Sequence, residues 1–236
     1  MNTTLAPANS AAGTRRHSWL STGAILTRFA ALLIAGTLCA VLPGCGFLKP
    51  AQSTAHYFVL TPLPANAAGP GASNSLPVGL GQVKLPAYLF NTSVAVRKGT
   101  NEINYLESAI WGERLDAGFQ RVLAANLAIV LPTEQVRLSV WQRDTVAAEV
   151  YVTIEQFDVD ASGRGVLVAQ WRILSPGGEK VLKAGVSRLV RQGPPPGSNP
   201  SGAVATLSDL VAELSQQLAQ ALKETPHASR NSPPKP

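Results

Sequence analysis

AAEVYVTIEQFDVDASGRGVLVAQWRILSPGGEKVLKAGVSRLVR, residues 147–191, is the stretch whose reading decides the fold. In 147–158, Val150, Val152 and Ile154 fall on one side of an alternating pattern. That period of two marks a strand with one buried face. Asp160-Ala-Ser-Gly-Arg-Gly165 then turns the chain, since Asp, Ser and Gly each favour turn geometry. In 166–174, Leu167, Ala169, Trp171 and Ile173 repeat the alternation. Ser175-Pro-Gly-Gly178 turns the chain again, into a third strand over 181–191. Strands joined by such short turns are antiparallel neighbours.

On either side of this block the period changes to that of a helix. Upstream, Trp111, Leu115, Phe119, Val122, Leu123, Leu127 and Val130 form one apolar stripe. Ser108 reads as its N-cap and Pro132 as its stop, so the helix is expected to open at Trp111. Downstream, Leu207, Leu210, Val211, Leu214, Leu218 and Leu222 form a second stripe, with Thr206 as N-cap and Asp209 completing a loose capping box. Both stripes read as core.

Further strands precede the first helix. Residues 57–60 and 78–85 read as strands, the latter ending before Pro86, and 93–97 and 102–106 flank a hairpin turn at 98–101. Gly79 and Gly81 lack the third glycine and following helix of a dinucleotide loop. They read instead as relief of crowding in a strand, or as a bulge. Residues 135–141 alternate as one more strand. The sum is an α+β fold: a mixed, largely antiparallel sheet with two amphipathic helices packed on one face.

Composition marks the edges. Residues 61–77 (TPLPANAAGPGASNSLP) read as a flexible insert, 192–202 as an irregular connection, and 225–236 as a disordered tail. No repeat of solenoid period occurs.

The amino terminus has a separate logic. Arg15, Arg16 and Arg28 are followed by Phe29–Leu42, an uncharged apolar run too short to span a bilayer as a helix. Behind it stands Leu42-Pro43-Gly44-Cys45, which resembles the lipobox of bacterial lipoproteins. That resemblance implies a signal peptide of residues 1–44, cleavage between Gly44 and Cys45, and lipidation of Cys45. Cys39 would leave with the signal, so neither cysteine is expected in a disulfide. Triple acylation exceeds the two signals that stable anchoring needs. Gly46, in place of aspartate, implies by the same resemblance an outer-membrane protein facing the periplasm. The expected mature part, 45–224 with its tail, suits one domain. The signal carries three of the arginines behind the formal net charge of +6. No basic stripe with interleaved aromatics suggests nucleic acid.

Catalytic patterns are sparse. After the signal, only His56 and His227 remain, without metal-ligand spacing, a nucleophile elbow or a Walker loop. Asp158 and Asp160 sit where aspartates bond the backbone of a turn. Glu113 and Asp116 sit near the positive end of the first helix. No catalytic residue, metal or cofactor is expected, and the chain is read as a non-enzyme.

A second resemblance spans 57–222. It is carried by Tyr57-Phe-Val-Leu60 soon after the lipobox, by Val78-Gly-Leu-Gly-Gln-Val-Lys-Leu-Pro-Ala-Tyr-Leu89 and Val94-Ala-Val-Arg97, and by Ile103-Asn-Tyr105 leading into Trp111-Gly-Glu-Arg-Leu-Asp-Ala-Gly-Phe119. Together they resemble the PqiC-like (YmbA-like) auxiliary lipoproteins of ABC-type transport systems. The resemblance implies a component of a trans-envelope lipid transport machine supporting envelope integrity. Its partners would be a periplasmic MCE-domain protein with its inner-membrane permease and ATPase, the outer membrane through the anchor, and further copies in a homo-oligomeric ring. Pro86, Tyr88 and Leu89, just past a strand end, and Trp111, at the expected helix start, are the candidate partner contacts. A rival reading is an assembly factor or regulator of a cell-wall synthase, which would share the anchor and the small domain.

Overall fold

The computed structural model describes residues 55–64, 77–131, 135–142 and 145–225. The chain divides at residue 52, and every described residue belongs to the second unit. Gly44, Cys45, the signal segment, Pro132, His227, most of the 61–77 insert and all but the first residue of the 225–236 tail lie outside the described residues.

Eight strands and two α-helices occur among the described residues, in the order β1 (His56–Phe58), β2 (Val78–Leu80), β3 (Ser93–Lys98), β4 (Glu102–Trp111), α1 (Leu115–Val130), β5 (Val136–Leu138), β6 (Ala148–Asp160), β7 (Arg164–Leu174), β8 (Val181–Gln192) and α2 (Pro200–Lys223). The sheet is mixed, as the alternation predicts. Its long ladders, β6–β7, β7–β8 and β3–β4, are antiparallel. Its short ones, β1–β4, β2–β5, β2–β6 and β3–β6, are parallel.

The centre of the sheet is a fork. One edge of β6 pairs with β7 along nearly its whole length. The other edge is shared: Ala148–Val150 pair with β2, and Val159–Asp160 pair with β3. Beyond β2 lies β5, and beyond β3 lie β4 and β1. A bulge between Ile154 and Gln156 falls between the two branches. It reverses the alternation, so that Val150, Val152 and Ile154 before it and Phe157 and Val159 after it are all buried.

Both helices pack on one face of this sheet and against each other. Phe119 of α1 meets Phe157 of β6 edge-on at 5.2 Å, and both rings are fully buried. Leu207, Leu210, Leu214 and Leu218 of α2 are likewise buried. The segment after β1 crosses the helices and is tied to both. The Leu60 carbonyl accepts from Arg121 (3.0 Å), the Thr61 amide donates to Ser208 (3.2 Å) and the Leu63 amide to Asn126 (2.7 Å). The first residues of the expected insert are therefore held in place.

Several boundaries differ from the sequence reading. β4 continues to Trp111, and α1 opens only at Leu115 with Arg114 in the cap position. Ser108 lies within β4 and caps nothing. The added strand length is secured by pairing of Ala109–Trp111 with β1 and by the Trp111 amide donating to the Thr92 carbonyl at 2.7 Å. Residue 111 merely happens to lie one helical turn before Leu115.

α2 opens earlier than expected, at Pro200, where a missing amide proton costs nothing. Asn199 is its true N-cap and accepts the Gly202 amide at 2.8 Å. Thr206 instead bonds the Gly202 carbonyl one turn behind it, and Asp209 pairs with Arg191. Thr225, placed in the tail by composition, is buried and bonds the last carbonyls of α2. β2 stops at Leu80, although an isolated bridge from Lys84 to Thr153 continues its course.

The two strand glycines relieve crowding. A Cβ on Gly79 would stand 2.7 Å from the Trp141 ring, and one on Gly81 would stand 2.6 Å from the Tyr151 ring. These rings lie over bare backbone, and each donates to the buried carboxylate of Glu149, at 3.1 and 3.0 Å.

Candidate docking site

The chain between Lys84 and β3 bridges the two branches of the fork. Pro86 leads into a single 3-10 turn, Ala87–Phe90. Its anchor is Tyr88. The Tyr88 hydroxyl accepts the Phe157 amide at 3.2 Å, a strand amide that neither branch reaches. It donates to Asp158 Oδ2 at 2.9 Å. Asp158 is 1% exposed. It also accepts Arg97 Nη2 at 2.7 Å, Arg97 Nε at 3.1 Å and Gln156 Nε2 at 2.9 Å. The guanidinium lies over the Tyr88 ring, 5.9 Å from its centroid. Tyr105 of β4 closes the arrangement by donating to the Tyr88 carbonyl at 2.9 Å.

The electrostatics follow from this packing. Burial, reinforced by the Asp158 carboxylate, pushes the Tyr88 phenol up to about 12 against the opposing pull of the Phe157 amide and the guanidinium. The hydrogen bonds to Asp158 raise Arg97 above its ordinary range. The sequence reading placed Asp158 at a turn, bonding backbone. That work is done by Asp160, which accepts the Ser162 and Arg164 amides. Asp158 is instead the buried partner of Arg97.

This lock fixes the turn that carries Leu89 and Phe90. Leu89 points inward and is buried; Phe90 points outward and is 56% exposed. Together with Trp111, Leu115, Glu113 and Arg114 they line a mainly apolar cleft of about 380 Å³. Trp111 is buried, at the end of β4 rather than on the helix. Two ion pairs border the cleft: Arg114 to Asp116 at 2.7 Å and Arg121 to Glu113 at 2.5 Å. Val59 stands against Gly112, between the cleft residues Trp111 and Glu113, and both Val59 and Tyr57 are exposed.

Of the sequence-predicted contacts, Leu89 and Trp111 thus come together in one cleft. Tyr88 lies behind it as a support, and Pro86 precedes the turn, partly exposed. Phe90 in the cleft, and Arg97 and Asp158 in the lock behind it, are elements that sequence reasoning missed. The available signal for Phe90 was its place beside Leu89 in a segment already singled out. Among the described residues no cluster of three metal-ligating side chains occurs, and no helix is long and apolar enough to cross a membrane.

Comparison with known proteins gives a family and a shared fold. A family model described as an ABC-type transport auxiliary lipoprotein component matches residues 58–219. An uncharacterized protein of known crystal structure is similar at 18% identity and a TM-score of 0.56, over 70% of this chain and 97% of that one. A protein from Xanthomonas campestris is similar at 10% identity and a TM-score of 0.59, over 71% of this chain and 94% of its own. At these identities the two structures share the fold. No curated protein matches the chain.

Proposed function

The chain belongs to the family of ABC-type transport auxiliary lipoprotein components, and we propose that it docks the periplasmic MCE-domain member of a trans-envelope lipid transport system at the outer membrane. In this reading it is a non-enzymatic part. Cys45 carries the lipid anchor after cleavage behind Gly44, the domain faces the periplasm, and copies of the chain assemble as a ring. An inner-membrane permease and ATPase complete the system, and the cellular role is envelope integrity.

The observation that carries the docking role is the cleft. An exposed phenylalanine on a turn held by a buried ion pair is a preorganised apolar anchor, and binding energy concentrates at such residues. Leu89, Trp111 and Leu115 offer a partner side chain an apolar floor. The bordering ion pairs give the polar rim found around such anchors.

The test is purification of the full lipidated chain, tagged at its carboxyl end, from envelopes in mild detergent. Wild-type protein should recover an MCE-domain protein with a permease and an ATPase. Phe90→Asp should lose them while keeping the wild-type melting curve. Recovery of a cell-wall synthase instead, or a transporter complex indifferent to Phe90→Asp, would overturn the assignment.

A further inference from the structure

β8 ends one side of the sheet, since it pairs with β7 alone. Its two faces differ in charge. On the helix face, each cation has a carboxylate: Lys183 pairs with Glu224, and Arg191 with Asp209 at 3.6 Å. On the opposite face the register sets out rows across three strands. Tyr151, Arg172 and Ala184 form one row, and Thr153, Gln170 and Val186 the next. Gln156, Val168 and Arg188 follow. The first two rows line a shallow groove of about 480 Å³, to which Ala184 contributes only a methyl group.

Arg172 and Arg188 are exposed. Among the described residues neither guanidinium has a hydrogen bond or an ion pair. Lys84, beside Thr153, is likewise exposed and unpaired. Of the described carboxylates near these rows, two have no cation: Glu155, at the bulge, accepts from Gln170, and the buried Glu149 accepts from Tyr151. Val186 lies between the rows of Arg172 and Arg188, and Val190 just beyond Arg188, each about half exposed. Edge strands are commonly protected by charge, but here the excess charge on the open face is positive, with Arg172, Arg188 and Lys84 set against Glu155 and the buried Glu149. It repels a basic strand and attracts an acidic one.

We infer that the free edge of β8 takes an added strand from a protein partner whose carboxylates face Arg172 and Arg188. The backbone ladder would supply affinity, and alternate side chains of the added strand would supply selectivity. On the open face, those side chains would lie beside Ala184, Val186, Arg188 and Val190. Alternating acidic and small apolar residues fit this row: carboxylates take the forked guanidinium donors, and apolar groups cover the valines. The surface is separate from the cleft, and the inference does not depend on the transport reading.

The probe is a decapeptide alternating glutamate and valine, with a lysine–valine peptide as its control, both titrated into the full mature chain in detergent. The glutamate peptide should bind, slow amide exchange along β8, and leave β1 unchanged. The Arg172→Glu, Arg188→Glu double variant should weaken it about tenfold or more and accept the lysine peptide instead. Should that variant fold poorly, Arg172→Gln, Arg188→Gln should still weaken the glutamate peptide in the same sense. Absence of β8 protection at millimolar peptide, or equal affinity in wild type and both variants, would overturn the inference. So would self-association through β8 that the reversal abolishes, since the occupant would then be a second copy. Binding to phosphatidylglycerol vesicles that the reversal abolishes, with no peptide binding, would assign the face to lipid instead.

Discussion

The hydroxyl of Tyr88 lies 2.9 Å from Asp158 Oδ2, joining a surface turn to a carboxylate buried in the central strand seventy positions later. The same hydroxyl takes the Phe157 amide at the fork. One phenol thus completes the hydrogen bonding of the break in the sheet and fixes the turn that carries the cleft. Removing the carboxylate leaves Arg97 and Tyr88 without their shared acceptor, and breaking a buried pair from one side costs about 3–5 kcal/mol. Arg97 is about one-quarter exposed and can recover some hydration. Asp158→Ala is therefore expected to destabilise by about 3 kcal/mol, measured by urea unfolding.

Tyr88 also gives the fold a dependence on alkali. Its phenol is raised from 10.0 to about 12 in the folded chain, so the folded state favours the protonated form. That contribution is fully present below pH 10 and is lost as the pH rises toward 12. Stability measured across that interval should fall more steeply in wild type than in Tyr88→Phe. Absorbance titration should show a late ionisation that the variant lacks, beside that of Tyr151, whose phenol is also raised by burial and by Glu149.

Gly81 has a steric role rather than a conformational one. A Cβ there would sit 2.6 Å from the Tyr151 ring, whose hydroxyl is bonded to Glu149. Gly81→Ala must displace that ring, and overpacking of this kind costs about 1–3 kcal/mol. The double variant Gly81→Ala, Tyr151→Ala should recover part of the loss, read as a positive coupling in thermal unfolding.

Asn199→Ala should lower stability by about 1 kcal/mol, because the Gly202 amide loses its acceptor at the start of α2. Thr206→Val is the comparison. It leaves the helix start untouched and removes only a bond to a carbonyl already inside the helix. If Thr206 acted as the cap, the order of the two effects would reverse.

Cys45→Ser should accumulate as an uncleaved precursor or as a soluble chain. Immunoblotting after fractionation of the envelope checks this. A variant that is processed and sediments with the outer membrane like wild type would exclude lipidation at Cys45.

Much of the architecture could be read from side-chain period. The alternations around Val152 and Ile173 and the stripe from Leu207 to Leu222 point inward as expected, because the burial of each depends on its own local pattern. Trp111 was misread because a strand ended on a residue in phase with the following helix. Asp158 was misread for a different reason. A bulge at Glu155 reverses the face on which it stands, and its partners come from β3 and from the turn before it. No local spacing encodes either fact. The cleft shows the same division: Leu89 stood out as apolar beside a strand end, while the exposure of Phe90 depends on how Tyr88 fastens the turn.

The divided edge of β6 also sets an order of assembly. Neither β2 nor β3 can take its place in the sheet until residues 148–160 are available, and α2, which covers that strand's other neighbours, comes last in the chain. In the proposed lipoprotein, exported amino terminus first, the residues up to 111 would emerge with only the β3–β4 hairpin able to form locally. So many distant pairings imply a high contact order and slow folding. The amino terminus would thus reach the modifying enzymes while the domain behind it was still unfolded, so that attachment to the membrane precedes folding.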